Sequence, residues 1–202
     1  MLILVLTCPT AYASFDNVNE EIICQNAVDY FEQHAISEKF DGYELESVKV
    51  DIVYDSNLSA DNNQLNNSNQ IEPNGLVYKI KNVNHTLEEF MYVNDYESDY
   101  FYGPCDVSET YTKSTKATVN CNVSIGKSTL KGAIGYSFTK EFTVSKNFST
   151  KVAANKYLHL KTYVVYRRTD FDIYKILGNT FVEHAWSGKP VGLAFVQSVY
   201  SK

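Results

Sequence analysis

The sequence from Ser108 to Ile125 reads SETYTKSTKATVNCNVSI, and the sequence from Tyr136 to Ser149 reads YSFTKEFTVSKNFS. In both stretches every second residue is polar, and most of these polar residues are Ser, Thr or Asn. A period of two is the spacing of side chains on one face of a β-strand. The two runs are separated by a segment bounded by Gly126 and Gly135. They therefore predict two long antiparallel strands joined as a hairpin, each longer than the usual five or six residues.

The rest of the chain continues the same pattern. The composition favours strands, because 16 tyrosines accompany many Val, Phe and Thr residues, which suit pleated surfaces. Shorter alternating or β-branched runs occupy residues 43–54, 76–83, 89–93, 157–166, 170–174 and 191–196. We therefore expect a mainly β protein, with long antiparallel strands in an elongated sheet or sandwich. Residues 57–75 are rich in Asn, Ser, Asp and Gln and predict a long, mobile polar loop.

One segment has helical periodicity. Apolar residues between 18 and 35 recur at helical spacing, and Asn17 and Glu20 resemble a capping box. Residues 17–35 therefore predict a single N-terminal α-helix packed on the sheet.

The first residues resemble an export signal. An apolar run, MLILVL, is followed by Pro9 and by Ala11-Tyr12-Ala13, which fits signal-peptidase cleavage. Residues 1–13 are thus predicted to be a signal peptide, with its start truncated, and residues 14–202 a single secreted β-rich domain. The alternatives are a buried first strand of a cytosolic domain and a lipoprotein cleavage before Cys8, which Thr7 disfavours because a small residue is needed there.

The predicted cleavage determines how many cysteines the mature chain contains. Removing residues 1–13 leaves Cys24, Cys105 and Cys121. In an oxidising compartment one disulfide and one free thiol are the simplest outcome, and we expect the bond between Cys105 and Cys121. No C-x-x-C or Cys/His spacing is present, so no zinc site is expected.

No catalytic motif is evident. The four histidines lie in no metalloprotease spacing, and there is no nucleophile elbow, P-loop or dinucleotide fingerprint. We expect a non-enzymatic protein without a cofactor or metal, with an unrecognised hydrolase as the alternative. Asp95, Glu97 and Asp99 alternate like cation ligands, but the glycine-containing calcium loop is missing, which favours a solvated turn.

Charge is distributed unevenly along the chain. Residues 113–168 contain eleven Lys or Arg and one acid, whereas the whole chain has 18 basic and 24 acidic residues. Three interpretations compete: pairing of basic strands with acidic ones, attraction to an anionic membrane or surface polymer, and nucleic-acid binding. The last ranks lowest and no nucleic-acid partner is expected, because only Arg167 and Arg168 are available for stacking and clustered aromatics are missing.

The paired Ser/Thr runs resemble the hairpin of β-pore-forming toxins of the aerolysin and ETX/MTX2 type. The matching segments are residues 110–125 and 136–149, with residues 126–135 at the position of the inserting tip. KVAANK at residues 151–156 is similar to the V-P-A-G-K turn of that family, but it lacks the proline and the glycine. The resemblance covers about residues 76–175.

The resemblance implies a secreted protein that binds a membrane surface or a cell-surface receptor, self-assembles and inserts the hairpin as part of a transmembrane barrel. The implied membrane-hairpin residues are Thr110, Thr112, Thr118, Val119, Val123, Ile125, Tyr136, Phe138, Phe142, Thr143, Val144 and Phe148.

A different function fits the same alternation. Lys140 and Lys146 fall on the apolar face of the predicted hairpin, where a lysine at the bilayer midplane costs about 2–4 kcal/mol. A β-sandwich with one wet face gives the same pattern. Such a secreted protein would bind a surface polysaccharide or a protein, with tyrosines supplying the contacts.

Overall fold

A computed structural model of the protein describes residues 21–35, 42–56 and 77–202. The predicted signal peptide at 1–13 and the predicted polar loop near 57–75 lie outside the described residues. The capping pair Asn17 and Glu20 does so as well.

Within the described ranges, the main sheet is antiparallel and has seven strands. Its strands are β1 (Glu21–Ile23), β2 (Glu44–Tyr54), β3 (Tyr78–Tyr92), β4 (Tyr96–Tyr102), β6 (Thr118–Asn120), β8 (Lys156–Lys175) and β9 (Phe181–Ser201). The hairpin of β8 and β9 forms the centre. On one side β4 pairs with the first half of β8 and β3 with the second half. β1 pairs in turn with the C-terminal end of β3. On the other side β9 pairs with β6 and then β2. The predicted mainly β class, with long antiparallel strands, is confirmed.

A second sheet contains two strands, β5 (Cys105–Lys116) and β7 (Glu141–Val152). They pair antiparallel, with Cys105 opposite Val152 and Lys116 opposite Glu141. The two Ser/Thr-rich runs are therefore neighbours, as the alternation predicts. We call this pair of strands the ribbon.

The ribbon is shorter than the sequence predicts. After Lys116 the chain leaves β7, and β6 pairs with β9 instead. The predicted hairpin tip is a helix, α2 (Lys127–Ile134), that begins after Gly126 and ends at Gly135. Gly135 has φ +83°, and its N–H donates to the Lys131 carbonyl oxygen, a helix-ending geometry that suits glycine. The helix forms there because Leu130 and Ile134, four residues apart, bury one face of it.

The core lies on both faces of the main sheet. Alternate residues of β8 face the ribbon (Leu160, Val164) or α1 (Ala27–Ala35) on the opposite face (Tyr163, Val165). The helix α2 and its flanking residues cover the half of the sheet nearest the β8–β9 turn. Three layers therefore stabilise one central hairpin.

The N-terminal helix is also shorter than predicted. Residues 21–23 form β1, a 3₁₀ turn follows, and α1 begins only at Ala27. Ile22 is buried by strand pairing with β3 rather than as part of a helical stripe. A buried apolar residue fits both a helical and a strand pattern, and three residues are too few to distinguish the two periods. The helix was therefore predicted to begin too early.

The predicted disulfide is wrong. Cys24, Cys105 and Cys121 are free thiols. Cys105 begins β5 and packs in the core beneath the ribbon, whereas Cys121 lies beyond Lys116 and packs near α2. Eleven residues of extended chain between Cys105 and Lys116 span about 35 Å, far more than the ~7 Å that a disulfide allows between Cα atoms.

The cysteine state gives a first prediction. In denaturant without reductant, Cys24, Cys105 and Cys121 should each take up one alkyl group, as read by mass spectrometry. In the folded protein Cys24 and Cys121 should react slowly at neutral pH. Burial, followed by the nearby Glu89 charge, raises the pKa of Cys24 to about 12, and burial likewise raises the pKa of Cys121, so little thiolate forms. Joint protection of Cys105 and Cys121 that only reductant removes would contradict the assignment.

Candidate functional site

The outer face of the ribbon is a ladder of small polar side chains. Its cross-strand pairs are Ser108–Ser149, Thr110–Asn147, Thr112–Ser145 and Ser114–Thr143, all exposed. Hydrogen bonds of 2.8, 2.8 and 3.0 Å join the side chains of the last three pairs. No side chain larger than Asn stands in these four pairs, whereas charged pairs, Asp106–Lys151 and Lys116–Glu141, end the face on either side.

The inner face of the ribbon is mostly apolar. Phe142, Val144 and Phe148 are buried against the main sheet, as are Val107 and Tyr111. The Phe195 ring of β9 lies beneath them, with its centroid 5.1 Å from that of Phe148 and 5.6 Å from that of Tyr111. Side-chain packing of this kind is the main contact between the ribbon and the rest of the molecule.

Two lysines interrupt the apolar face. Lys113 on β5 lies near acids at β4, with its Nζ 3.5 Å from Glu97 Oε1 and 3.8 Å from Asp95 Oδ1. Lys146 on β7 lies 3.8 Å from Asp55 Oδ2, next to the end of β2. Both lysine side chains are largely buried. The ion pairs therefore supply partners for charges that the ribbon buries.

The sequence prediction of inner-face lysines was partly right. Lys146 does lie on the inner face, whereas Lys140 precedes β7 and is exposed. The sequence analysis did not identify Lys113 as an inner-face residue. The Ser/Thr residues of β5 are even-numbered, so the odd-numbered Lys113 lies on the opposite face. Strict counting of the period along β5 would have found it.

A tyrosine hydroxyl extends the contact with β4. The Tyr111 hydroxyl donates to Asp99 Oδ2 at 2.9 Å, with a further contact to Glu109 Oε2 at 3.2 Å. Burial, and then the hydrogen bond to Asp99, raises the pKa of Tyr111 well above its usual range. Asp95 lies in the turn before β4, whereas Glu97 and Asp99 lie on β4, and all three face β5. The predicted solvated turn is thus restricted to the residues before β4, although Asp95 and Glu97 keep side chains that are 51 and 54% exposed.

The uneven charge distribution is explained in part by such contacts. In the described residues, the acidic first half of the chain repeatedly pairs with the basic second half. Besides the two lysines above, these pairs join Lys156 to Glu46, Arg167 to Glu89, and Arg168 to Glu21 and Glu88. The contacts favour the first of the three interpretations, pairing between strands.

The twelve predicted hairpin residues divide into two groups. Thr110 and Thr112 lie on β5, and Phe142, Thr143, Val144 and Phe148 on β7. Thr118, Val119, Val123, Ile125, Tyr136 and Phe138 lie between the strands and are not part of the ribbon.

That second group is anchored to the main sheet. The Tyr136 hydroxyl hydrogen-bonds Ser187 Oγ at 2.7 Å, and Tyr92 donates to Thr118 Oγ1 at 3.2 Å. The apolar members pack with Leu130 and Ile134 of α2. Residues 117–140 are therefore a packed connection rather than an extension of the hairpin.

Residues 21–35, 42–56 and 77–202 offer neither a metal-binding cluster nor a membrane-spanning helix. Within these ranges no three His, Cys, Asp or Glu side chains form a group that could hold a metal ion. None of the helices there is long and apolar enough to cross a bilayer.

Comparisons with known proteins give distant likenesses. No protein-family model and no curated protein sequence matches the chain. A crystal structure from Bacteroides vulgatus, provisionally assigned as a pore-forming toxin, aligns with 14% identity and a TM-score of 0.23. The alignment covers 78% of this chain, which spans about half (51%) of that protein. The binary complex of Cry23Aa1 and Cry37Aa1 aligns with 12% identity and a TM-score of 0.16, over 86% of this chain and 85% of that one. Likenesses this weak carry no argument about function.

Proposed function

We propose that the protein is a secreted, non-enzymatic, membrane-active β protein whose ribbon detaches and becomes part of a transmembrane barrel. In this proposal several copies assemble on the membrane, and each contributes β5 and β7. The small polar ladder lines the lumen and the apolar face contacts lipid.

One observation carries the proposal: the ribbon is a separate sheet. Among the described strands, β5 and β7 pair only with each other. Detachment therefore breaks side-chain packing, side-chain hydrogen bonds and ion pairs, but no main-chain ladder with the main sheet. A strand central to the seven-stranded sheet could not leave at comparable cost.

The dimensions of the ribbon suit a bilayer. A tilted transmembrane strand needs about 9–11 residues. Each strand of the ribbon has 12 residues. The alternation along β7 matches the lumen and lipid faces of such a barrel, whereas the inner face of β5 also carries Glu109, Lys113 and Thr115.

Oligomerisation would satisfy the ribbon's outer edges. In a two-stranded sheet each strand uses only one of its two hydrogen-bonding edges. Unpaired edges are templates for strands from other chains. Neighbouring ribbons in an oligomer would gain these main-chain hydrogen bonds, which the soluble form lacks.

Glu109, Lys113 and Lys146 are the charged residues on the inner face, and the two lysines make the larger contribution to the cost of insertion. Facing lipid, each costs about 2–4 kcal/mol at the midplane and about 0–1 kcal/mol near the interface. In the soluble form Glu97, Asp95 and Asp55 pair with them. These ion pairs therefore stabilise the docked ribbon. The hydrogen bonds formed between ribbons in the oligomer must offset the loss of the ion pairs on detachment.

A second candidate function rests on exposed tyrosines. Tyr96, Tyr100 and Tyr102 lie on one face of β4 and are 41, 50 and 66% exposed. The Tyr100 ring stacks on His159, with centroids 4.4 Å apart, which fixes its orientation. Oriented aromatic faces suit the binding of a surface polysaccharide or protein. This function requires no detachment of the ribbon.

Paired tryptophan substitutions separate the two functions. Phe142 and Thr143 are neighbours on opposite faces of the ribbon. On vesicles, we expect the emission of Phe142→Trp to be quenched by lipids brominated in their acyl chains. We expect Thr143→Trp to escape that quenching and to stay accessible to aqueous iodide. The unsubstituted protein, whose one tryptophan is Trp186, provides the background signal.

The competing outcome is equally specific. If vesicles release no encapsulated dye and neither new tryptophan changes its quenching when vesicles are added, the ribbon does not insert. The insertion proposal would then be abandoned in favour of surface binding.

A further inference from the structure

The turn between β8 and β9 exposes a cluster of apolar side chains. Leu177 is 91% exposed, Val77 57%, Ile176 44% and Phe181 43%. Residues this apolar seldom cluster at a surface that meets only water. We call these four residues the apical cluster.

The cluster is held in place by hydrogen bonds. The Lys175 N–H donates to the Thr180 carbonyl oxygen at 2.8 Å, and the Ile176 N–H donates to that of Val77 at 3.0 Å. Lys81 Nζ donates to Asn179 Oδ1 at 2.8 Å. These hydrogen bonds fix the backbone of the turn, from which the Leu177 side chain extends into solvent.

Among the residues that the structure describes, the charges nearest this turn are positive. Lys175 stands opposite Tyr78 in the cross-strand row nearest the turn, and Lys79 stands in the next row with Tyr174. Within the described residues these two rows contain no acid. Together they give a basic margin around an apolar apex, on a chain whose net charge is −6.

The first acids occur further along the strands and already have partners. Glu183 lies one row beyond Lys79 and accepts hydrogen bonds from the Asn122 backbone N–H at 2.9 Å and from the Asn122 side chain at 2.8 Å. Asp172 lies in the following row and bonds Asn82 and His184. In the described part of the chain the charges nearest the apex are therefore Lys79, Lys175 and Lys81, whose Nζ reaches Asn179 in the turn.

We propose that the apical cluster is a docking surface for an anionic lipid bilayer. Leu177 and its apolar neighbours enter the acyl boundary, while Lys79 and Lys175 attract acidic headgroups. This inference rests on the proposed function, since it supplies the first contact with the membrane. α2 carries the exposed Lys127 and Lys131 and packs over the same half of the main sheet, so docking would bring the connection between β5 and β7 close to lipid.

Vesicle co-sedimentation tests the docking surface. The vesicles contain phosphatidylcholine with or without phosphatidylserine. We expect Leu177→Asp to weaken binding at least about tenfold, because the variant has no leucine side chain to bury in the bilayer. Leu87→Asp is the matched control, since Leu87 is 89% exposed on β3, away from the turn, and its loss should leave binding unchanged.

A charge pair extends the test. Lys175→Gln should weaken binding about fivefold to vesicles that contain phosphatidylserine and should not weaken binding to phosphatidylcholine alone. Lys49→Gln, an exposed lysine on β2, should have no effect on either.

The outcomes distinguish docking from pore formation. Equal binding by the Leu177 and Leu87 variants would overturn the docking surface, even if both release dye. Binding that depends on Leu177 without any dye release would support docking and contradict the proposed function. Failure to bind protein-free vesicles, with retained binding to cells, would indicate a protein partner and overturn the lipid proposal.

Discussion

Cross-linking the ribbon to β4 is expected to abolish the release of dye from vesicles, and cleaving the cross-link is expected to restore it. The positions are Lys113→Cys and Glu97→Cys, where the native side chains lie 3.5 Å apart at their charged ends. Facing sheets are about 10 Å apart, too far for a direct disulfide, so a short bis-maleimide with an internal disulfide is needed. Because insertion requires β5 to leave β4, the tether should reduce release to background.

The cross-link needs two controls. All variants are made in a protein whose native cysteines are replaced by alanine. The double variant without cross-linking reagent measures the effect of losing the Lys113–Glu97 ion pair alone. Glu44→Cys with Ser201→Cys joins β2 to β9, whose residues pair directly in the main sheet, and should leave release intact. Release that persists after complete cross-linking of the first pair would show that the ribbon stays docked while membranes leak.

Phe148→Ala is expected to lower the free energy of unfolding by about 3–5 kcal/mol. Phe148 is 5% exposed, and its ring packs on Phe195 and Tyr111 beneath the ribbon. Removing the ring leaves a cavity between the two sheets that their backbones fill only in part. Equilibrium denaturation in urea, followed by circular dichroism, measures the change.

The adjacent residue provides the comparison. Ser149 lies on the outer face and is exposed, so Ser149→Ala should change the free energy of unfolding by no more than about 0.5 kcal/mol. If Phe148→Ala cost as little as Ser149→Ala, the apolar face of the ribbon would not hold it to the main sheet. A separate early transition for the ribbon would instead support easy detachment.

Local patterns in the sequence were sufficient for the strands of the ribbon. Alternation at residues 108–116 and 141–149 marks which side chains share a face, and the structure pairs these stretches as β5 and β7. The strand at 157–166 was predicted differently, from an almost continuous run of apolar, β-branched and aromatic residues. A period of two is a property of each strand alone, so it can be read without knowledge of its partners.

The end of the ribbon could not be read in this way. Thr118, Val119 and Asn120 continue the alternation of β5 without a break, yet they pair with Gly188, Ser187 and Trp186 of β9. Alternation specifies the face that a side chain takes but not the strand that supplies its hydrogen bonds. Burial of Ala117, at 8% exposure, accompanies the change of partner.

The partners of the inner-face lysines were likewise decided by the tertiary structure. Lys113 meets acids 16 and 18 residues earlier in the chain, and Lys146 meets Asp55 from a distant strand. Cys105 and Cys121, close in sequence, are separated by the length of β5. By itself the sequence determined the β class and the two-faced character of the ribbon, because these depend on neighbouring residues. Which strand lies beside the ribbon, and which charges hold it, depended on packing between distant segments, because a local pattern carries no information about its partner.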